Sequence, residues 1–221
     1  MAPPPSILIT AGPTHEPIDA VRFLGNRSSG RLGVALAAAA AARGWTTTLL
    51  LGPVPAPPPP DSPFRVERFR TCNDLAALLA RLAPDADILV MAAAVADYRP
   101  KVDTDLGAAK FRRTDQPLTL HLEPTPDLLE GVASRRRPGQ YLVGFALEPR
   151  ADIDRSSRAK LERKKVDLVV GNPLETMDAP TIEPSLFFKD GRVIAPGASM
   201  TKADFAPWLL DHIASQLPTR P

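Results

Sequence analysis

The run of residues 88–96, ILVMAAAVA, constrains the fold of this 221-residue chain more than any other stretch. All nine residues are apolar, so the run has no face suited to water. It is too short to span a membrane, and it is typical of a central strand that is buried on both faces. Such strands belong to parallel sheets with helices on both sides. We therefore predict an α/β protein.

Further strand and helix patterns alternate along the chain, which predicts a doubly wound, mainly parallel, Rossmann-like sheet. Asn73 is the predicted cap of the second helix, and Ser199 or Thr201 that of the last. Asp190-Gly191 predicts a type I′ turn in an added C-terminal β-hairpin, residues 185–189 and 192–194. The predicted strands are 6–10, 46–51, 65–69, 88–96, 141–146 and 167–171, and the helices are 30–43, 74–82, from about 126, 152–165, and up to about 216.

In a sheet of this kind, ligands bind beyond the carboxyl ends of the strands, at the point where the strand order reverses. The loops after Thr10, Ala92, Ala146 and Gly171 are therefore predicted to form the site.

Composition excludes several classes of protein. Hydrophobic residues make up 44% of the chain, which excludes wholesale disorder. The net charge of +2 does not favour nucleic acid as a partner, and no run is long enough for a membrane span. Cys72 is the single cysteine, so neither an intrachain disulfide nor a multi-cysteine zinc site can form. No secretory signal is visible, so we expect a soluble, cytoplasmic protein with residues 1–221 in one domain.

Proline accounts for 26 residues, many of them in the stretch GPVPAPPPPDSP at residues 52–63. That composition predicts a polyproline-like surface connection, and a proline-rich ligand for an SH3-like partner is the alternative.

The loop at residues 11–29 ends in Asn26-Arg27-Ser28-Ser29-Gly30, where a helix begins. Hydroxyls and a glycine at a helix start are typical of an anion site, because free N–H groups and the positive end of the helix dipole meet there. An ordinary cap by Ser29 explains the same residues, and the local pattern leaves both interpretations open.

A nicotinamide-dependent oxidoreductase of the short-chain type is the default alternative for such a sheet. The first strand is not followed by G-x-G-x-x-G, and the second ends in Leu51-Gly52 instead of an acidic residue. Neither Tyr98 nor Tyr141 has a lysine four residues later. A nucleotide-binding module without catalytic activity is the other alternative.

Six motifs follow one another in a fixed order along almost the whole chain. They are ITAGPTHEPIDAVRFLGNRSSGRLG at 9–33, AAAVADY at 92–98, KFRR at 110–113, TPD at 125–127, GFALE at 144–148, and a Lys-x-x-x-Lys helix at 160–164 leading to Gly171-Asn172. Together they resemble the signature of the phosphopantothenoylcysteine synthetase family. The resemblance implies a phosphopantothenate–cysteine ligase of coenzyme A biosynthesis.

In that reaction the carboxylate of 4′-phosphopantothenate attacks CTP, giving an acyl-cytidylate and pyrophosphate. The amine of L-cysteine then displaces CMP. The bacterial-looking KFRR, GFA and Lys-x-x-x-Lys motifs favour CTP over ATP. The resemblance further implies Mg²⁺ bound with the nucleotide, no flavin, a homodimer, and a phosphopantothenoylcysteine decarboxylase as a further partner.

The resemblance also assigns roles to individual residues. Asn26 and Lys110 are the predicted catalytic residues. Asn26 would contact the acyl-cytidylate, and Lys110 would close over the triphosphate on a flexible flap at about 98–117. The other predicted nucleotide-binding residues are Ala92, Ala93, Asp97, Thr125, Pro126, Asp127, Leu128, Phe145, Lys160 and Lys164. The predicted phosphate- or substrate-binding residues are Gly12, Arg27, Ser28, Ser29, Gly30 and Asn172.

The chain departs from the family pattern at a few positions. His15 stands where the family commonly has arginine, and Arg112 and Arg113 stand where lysine is usual. An imidazole is partly neutral near pH 7, and a guanidinium is a planar fork instead of a point charge.

Overall fold

The computed structural model describes residues 3–101, 110, 112, 115–177 and 179–218. The helices are α1 (Arg31–Ala42), α2 (Cys72–Leu82), α3 (Leu128–Ala133), α4 (Ile153–Lys164) and α5 (Lys202–Ala214). The strands are β1 (Ser6–Ala11), β2 (His15–Pro17), β3 (Phe23–Gly25), β4 (Thr46–Leu51), β5 (Arg65–Arg68), β6 (Ile88–Met91), β7 (Tyr98–Pro100), β8 (Leu122–Pro124), β9 (Tyr141–Glu148), β10 (Leu168–Pro173), β11 (Thr181–Ile182), β12 (Ser185–Phe188), β13 (Val193–Ile194) and β14 (Met200–Thr201).

An eight-stranded sheet, in the order β13-β12-β10-β9-β6-β1-β4-β5, forms the centre of the molecule. The six strands from β10 to β5 are parallel, and the hairpin β12–β13 continues the sheet in antiparallel fashion beyond β10. The predicted fold class, a doubly wound sheet with an added C-terminal hairpin, is confirmed. The strand order reverses between β1 and β6, which places the switch point there.

Each face of the sheet carries its own apolar core. One core packs β-strand side chains against α1 and α5, with Leu36 and Phe205 fully buried. The other packs the opposite face against α2, α3 and α4, with Leu75 fully buried. No helix in the described chain has the length and apolar character needed to cross a bilayer. The proline-rich residues 52–63 connect β4 to β5 and are mostly exposed, as the surface-connection interpretation requires.

The predicted strand at 88–96 is wrong beyond Met91, where β6 ends. Residues 92–96 leave the sheet and bond to the end of β1 and to the loop that follows it. The Ala92 N–H donates to the Thr10 carbonyl at 3.2 Å, and the Ala94 N–H donates to the Gly12 carbonyl at 2.9 Å. The apolar character of this stretch therefore reflects close packing against another loop instead of burial inside the sheet.

Three local expectations also need correction. The predicted loop at 11–29 contains the hairpin β2–β3, whose turn is held by Asp19 accepting from the Val21 and Arg22 N–H groups. Thr71, not Asn73, caps α2, because Thr71 and Asp74 form a reciprocal capping box.

The turn at Asp190-Gly191 is not type I′, since only Gly191 has a positive φ (+91°) and type I′ needs two such residues. Of the two candidate caps of α5, Thr201 is the one that accepts from the Asp204 N–H.

Candidate functional site

Two cavities lie side by side at the carboxyl edge of the sheet, next to the switch point. The first, of about 250 Å³, opens over the start of α1 and is called the α1 cavity. The second, of about 260 Å³, lies against α4 and is called the α4 cavity. Ala93, just after β6, and Phe145, on β9, line both. A ligand that passes between these two residues would occupy both cavities at once.

Most of the predicted site residues line one of these cavities. Those in the α1 cavity are Arg27, Ser28, Ser29, Gly30, Ala92, Ala93, Phe145 and Asn172. Those in the α4 cavity are Ala93, Asp97, Thr125, Pro126, Asp127, Leu128, Phe145, Lys160 and Lys164. Gly12, Asn26 and Lys110 are not among the lining residues of either cavity.

The wall of the α1 cavity is built from the first turn of α1. Gly30 is the N-cap, with a left-handed φ of +69°, and no side chain caps the helix. The interpretation of Ser29 as an ordinary cap is therefore wrong. Gly33 lets the helix approach β1, since a Cβ there would lie 2.3 Å from the Ala11 Cβ. The first-turn N–H groups and the positive end of the helix dipole thus meet a cavity lined by Gly30–Gly33.

The loop at 92–97 is fixed by hydroxyl groups from three sides. The Thr10 Oγ1 accepts from the Ala93 N–H at 3.1 Å, and the Thr14 Oγ1 accepts from the Ala96 N–H at 3.0 Å. The Thr125 hydroxyl donates to the Ala96 carbonyl at 2.6 Å. These bonds hold the alanines against both cavities, where their small side chains leave the backbone accessible to a ligand.

Asn26 lies close to this loop although it does not line a cavity. Its Nδ2 donates to the Val95 carbonyl at 3.0 Å, which joins the segment before α1 to the loop after β6. Gly12, at φ +80°, bonds to the same loop through its carbonyl. Lys110 and Arg112 are exposed, and residues 102–109, 111, 113 and 114 of the predicted flap lie outside the described residues. The bonds of Asn26 and Gly12 place both residues beside the alanine loop.

The α4 cavity is lined by charged side chains. Lys160 is half-buried and its Nζ donates to the Phe145 carbonyl. Burial lowers the pKa of Lys160, while the charges of Glu148 and Asp97 oppose that shift and Arg163 adds to it. Asp97 is exposed at the same cavity. The cavity therefore presents a partly desolvated ammonium group beside an open carboxylate.

Lys164 differs from Lys160 although both lie on one face of α4. It is only 5% exposed and forms ion pairs with Asp127 and Glu130, at 3.2 Å from the Glu130 Oε2. Asp127 is also the N-cap of α3, where its Oδ1 accepts from the Glu130 N–H at 3.0 Å. The Lys164 side chain thus connects the end of α4 to the start of α3.

Asn172 contributes to the α1 cavity with both polar atoms already bonded. Its Nδ2 donates to the Thr176 hydroxyl at 2.6 Å, and its Oδ1 accepts from the Glu183 N–H at 3.1 Å. These bonds hold the chain after β10 against the cavity.

Sequence reasoning missed several lining residues. Met177 and Lys202 line the α1 cavity, and Arg163 lines the α4 cavity. Lys202 is the first residue of α5, and its Nζ donates to the Ala179 carbonyl at 2.7 Å. No motif points to Met177 or Lys202, because folding alone brings the C-terminal segments to this edge. For Arg163 the sequence held one signal: it lies three residues after Lys160, a predicted site residue, on α4.

His15 does not reach the cavities, and instead stacks on Phe23 of the β2–β3 hairpin with ring centroids 3.6 Å apart. Burial lowers the pKa of His15, and the charge of Arg70 adds to the shift. The imidazole is therefore mostly neutral near pH 7.

Within the described ranges, no group of three or more His, Cys, Asp or Glu side chains is arranged to hold a metal ion. Among the described residues, Asp97 and Asp127 are the carboxylates that line the α4 cavity, and Asp127 is already paired with Lys164.

Comparison with known proteins gives consistent matches. Residues 4–217 match the family described as DNA/pantothenate metabolism flavoprotein C-terminal domain. The chain is 36% identical over 216 residues to the coenzyme A biosynthesis bifunctional protein CoaBC of Bacillus subtilis, covering 95% of this chain and 51% of that protein. It is 43% identical over 175 residues to CoaBC of Mycobacterium tuberculosis, covering 75% and 41%. The chain thus spans about half the length of these relatives.

A solved structure, the C-terminal domain of a coenzyme A biosynthesis bifunctional protein CoaBC, superposes with a TM-score of 0.78 at 31% identity. The match covers 96% of this chain and 94% of that one.

Proposed function

Because the chain belongs to the DNA/pantothenate metabolism flavoprotein C-terminal domain family, we propose that it is a phosphopantothenate–cysteine ligase that uses CTP in coenzyme A biosynthesis. The observation that carries the proposal is the pair of cavities that share Ala93 and Phe145 at the switch point. One cavity offers uncapped helix N–H groups, which suit phosphate oxygens. The other offers charged side chains and the start of α3. A nucleoside with a phosphate chain, joined to an acyl group, has the shape to fill both.

In this proposal the cytidine lies in the α4 cavity and its phosphates pass between Ala93 and Phe145 toward α1. The carboxylate of 4′-phosphopantothenate attacks the α-phosphorus, forming the acyl-phosphate bond as the bond to the β-phosphate breaks. Pyrophosphate leaves. The attacking carboxylate and the triphosphate are both negatively charged. The N–H groups at Gly30–Gly33 stabilise this charge as the two groups approach.

The second step joins cysteine to the acyl group. The cysteine amine attacks the acyl carbon, the bond to CMP breaks, and the amine loses a proton. Asn26 is the proposed acceptor in this step, and its position beside the alanine loop supports that role, since its Nδ2 donates to the Val95 carbonyl. The Asn26 Oδ1 then remains as an acceptor for an N–H of the amine.

Magnesium fits the proposal as a companion of the nucleotide. Since the described residues hold no cluster that could bind a metal ion unaided, the phosphate oxygens would supply most of its ligands. Asp97 is an exposed carboxylate of the α4 cavity and would contact such an ion, whereas the other described carboxylate there, Asp127, already pairs with Lys164. Bound there, magnesium would supply positive charge to the triphosphate.

The proposed partners follow from the relatives. The chain covers about half of bifunctional proteins, so a phosphopantothenoylcysteine decarboxylase is the proposed neighbouring activity. A homodimer is also proposed, and it is supported by exposed apolar side chains on the β2–β3 hairpin and on the antiparallel pair β7–β8: Phe23, Tyr98 and Leu122 are 45%, 54% and 47% exposed.

The test measures pyrophosphate release from CTP or ATP with 4′-phosphopantothenate and Mg²⁺, with and without cysteine. We expect release with CTP, stimulated by cysteine, and formation of CMP. Release with ATP alone would keep the ligase and overturn the choice of nucleotide. A folded protein that binds CTP and releases no pyrophosphate would be the catalytically silent module.

A further inference from the structure

Glu16 is a buried carboxylate that the proposed reaction does not use. It lies in the middle of β2, is 3% exposed and is not among the lining residues of either cavity. A buried charge is costly unless polar groups meet it. The Glu16 Oε1 accepts from the Cys72 N–H at 2.8 Å, and Cys72 is the first residue of α2. The side chain therefore reaches from the β2–β3 hairpin to the start of a helix.

The start of α2 suits this carboxylate. The Thr71 side chain caps the helix at its third residue, so the Cys72 N–H needs another acceptor. Glu16 is that acceptor, and its negative charge lies at the positive end of the helix dipole. The neighbouring His15 N–H donates to the Arg70 carbonyl at 2.7 Å, just before the helix. Two successive residues of β2 thus fix the hairpin to α2.

The same hairpin carries Asn26, the proposed acceptor in the cysteine step. Asn26 follows directly after β3. The last residue of β3, Gly25, pairs with His15, the neighbour of Glu16. The strands are closely packed here, since a Cβ on Gly25 would lie 2.8 Å from the Thr14 carbonyl oxygen. A movement of Glu16 relative to α2 would therefore move Asn26 as well.

The hairpin meets the alanine loop on both sides of Glu16. Before β2, the Thr14 N–H donates to the Ala94 carbonyl at 3.2 Å, and after β3, the Asn26 Nδ2 donates to the Val95 carbonyl at 3.0 Å. The Asn26 bond is made by its side chain, so its length depends on where the hairpin places the Asn26 backbone.

We infer that Glu16 is a positioning residue: by fixing the β2–β3 hairpin to α2, it sets the place of the Asn26 amide against the alanine loop. This inference rests on the proposed ligase function, in which Asn26 acts in the cysteine step. It assigns to Glu16 an effect on the second step of the reaction, which a residue needed only for folding would not have.

The test measures the two steps separately in single turnovers. Without cysteine, the rate constant of pyrophosphate release from CTP and 4′-phosphopantothenate reports the first step. Addition of cysteine then gives the rate constant of CMP formation, which reports the second step. A variant with fewer folded molecules loses amplitude in both steps and keeps both rate constants.

Glu16→Asp and Glu16→Gln separate reach from charge. Aspartate is one methylene shorter, so it can meet the Cys72 N–H only if the hairpin moves toward α2. We expect CMP formation to slow about tenfold or more and pyrophosphate release by less than about twofold, because a small misplacement of a catalytic group is that costly. Glutamine keeps the length and an acceptor oxygen, so both rate constants should stay close to those of the wild type.

Gln140→Met is the matched control. Gln140 is also buried, and its Nε2 donates to the Ala83 and Ala86 carbonyls at 2.6 and 2.8 Å. It lies just before β9, at the amino edge of the sheet, away from the cavities. Its loss should lower the free energy of unfolding and leave both rate constants unchanged.

Equal slowing of both steps in Glu16→Asp, or no slowing of either, would overturn the inference. Slow CMP formation in Glu16→Gln would also overturn it, because the charge of Glu16 and not its reach would then matter, and this outcome decides the question even if Glu16→Asp fails to fold. Failure of the proposed function looks different, because the wild-type protein would then release no pyrophosphate, and the inference would fall with it.

Discussion

The two cavities meet at Ala93 and Phe145, yet they are built from different parts of the chain. One wall of the α1 cavity is formed largely by backbone, with an uncapped helix start, two glycines and a loop of alanines, while side chains such as Arg27 and Lys202 line the rest. The α4 cavity is formed by side chains that carry charge, with Lys160, Arg163, Lys164, Asp97 and Asp127 around it. One wall therefore depends on how closely backbone segments approach, and the other on which charges are paired.

This difference predicts two kinds of sensitivity. A wall made of backbone is disturbed when a larger side chain is introduced into it, and hardly when a single side chain is removed. A wall made of charges is disturbed when a charge is removed or titrated, while the fold itself is retained. A variant of the α1 wall that responds mainly to the loss of a charge, or a variant of the α4 wall that responds mainly to added volume, would contradict this distinction.

The largest effect is expected for Gly33→Ala. The added Cβ would lie 2.3 Å from the Ala11 Cβ, so α1 must move away from β1 and take its first-turn N–H groups with it. We expect a loss of about 1–3 kcal/mol in the free energy of unfolding, as overpacking usually costs, and weaker CTP binding. Urea denaturation and calorimetry measure both quantities.

Gly131→Ala is the matched control, since it is also a helical glycine but has only the Arg135 Nη2 within reach, at 3.9 Å. Here we expect a gain of about 0.5–1 kcal/mol, because alanine favours a helix more than glycine does. If both substitutions lowered the free energy of unfolding, the effect at Gly33 would not be due to the close approach of α1 to β1.

The next effect concerns charge at Lys160. Burial lowers the pKa of this lysine, and a phosphate binds its protonated form. We expect CTP affinity to be full below the lowered pKa and to fall as the pH rises through it. In Lys160→Arg the charge persists over the whole range, so the fall should disappear. A pH series of CTP dissociation constants is the measurement.

Lys160→Met completes that test. Its CTP affinity should be lower by about tenfold or more, on the scale of a hydrogen bond to a charged group, and independent of alkaline pH. Lys165→Met is the control, because Lys165 is exposed on the adjacent turn and lines neither cavity. An unchanged pH dependence in Lys160→Met would assign the titration to another group.

Much of the fold was predictable because local patterns and packing agree. Residues 46–51 form β4 with the predicted bounds, and a strand buried on both faces does begin at Ile88. The pattern could not show that residues 92–96 pack on a loop, because a run of apolar side chains suits both burial inside a sheet and packing on a loop. Nor could it show the β2–β3 hairpin, which depends on a polar turn at Asp19.

The site was predictable where motifs lie next to strand ends, since parallel strands bring those ends together. Pairing was not predictable, because Lys160 and Lys164 look alike in sequence. The fold decides their partners: the Phe145 carbonyl of β9 for Lys160, and the carboxylates at the start of α3 for Lys164. Lys202 and Met177 reach the α1 cavity through the path of the C-terminal segments, which no local pattern encodes.

The smallest effect is expected for Ser29→Ala, and it tests the backbone character of the α1 cavity most directly. Gly30 is the N-cap and no side chain caps α1, so the free energy of unfolding should change by less than about 0.5 kcal/mol. Thr71→Ala, which removes a true cap, should cost about 1 kcal/mol in the same urea experiment. CTP affinity should fall only a fewfold in Ser29→Ala, because the helix N–H groups remain in place. A stability loss as large as that of Thr71→Ala would mean that the Ser29 hydroxyl does cap α1, and that this wall relies on a side chain after all.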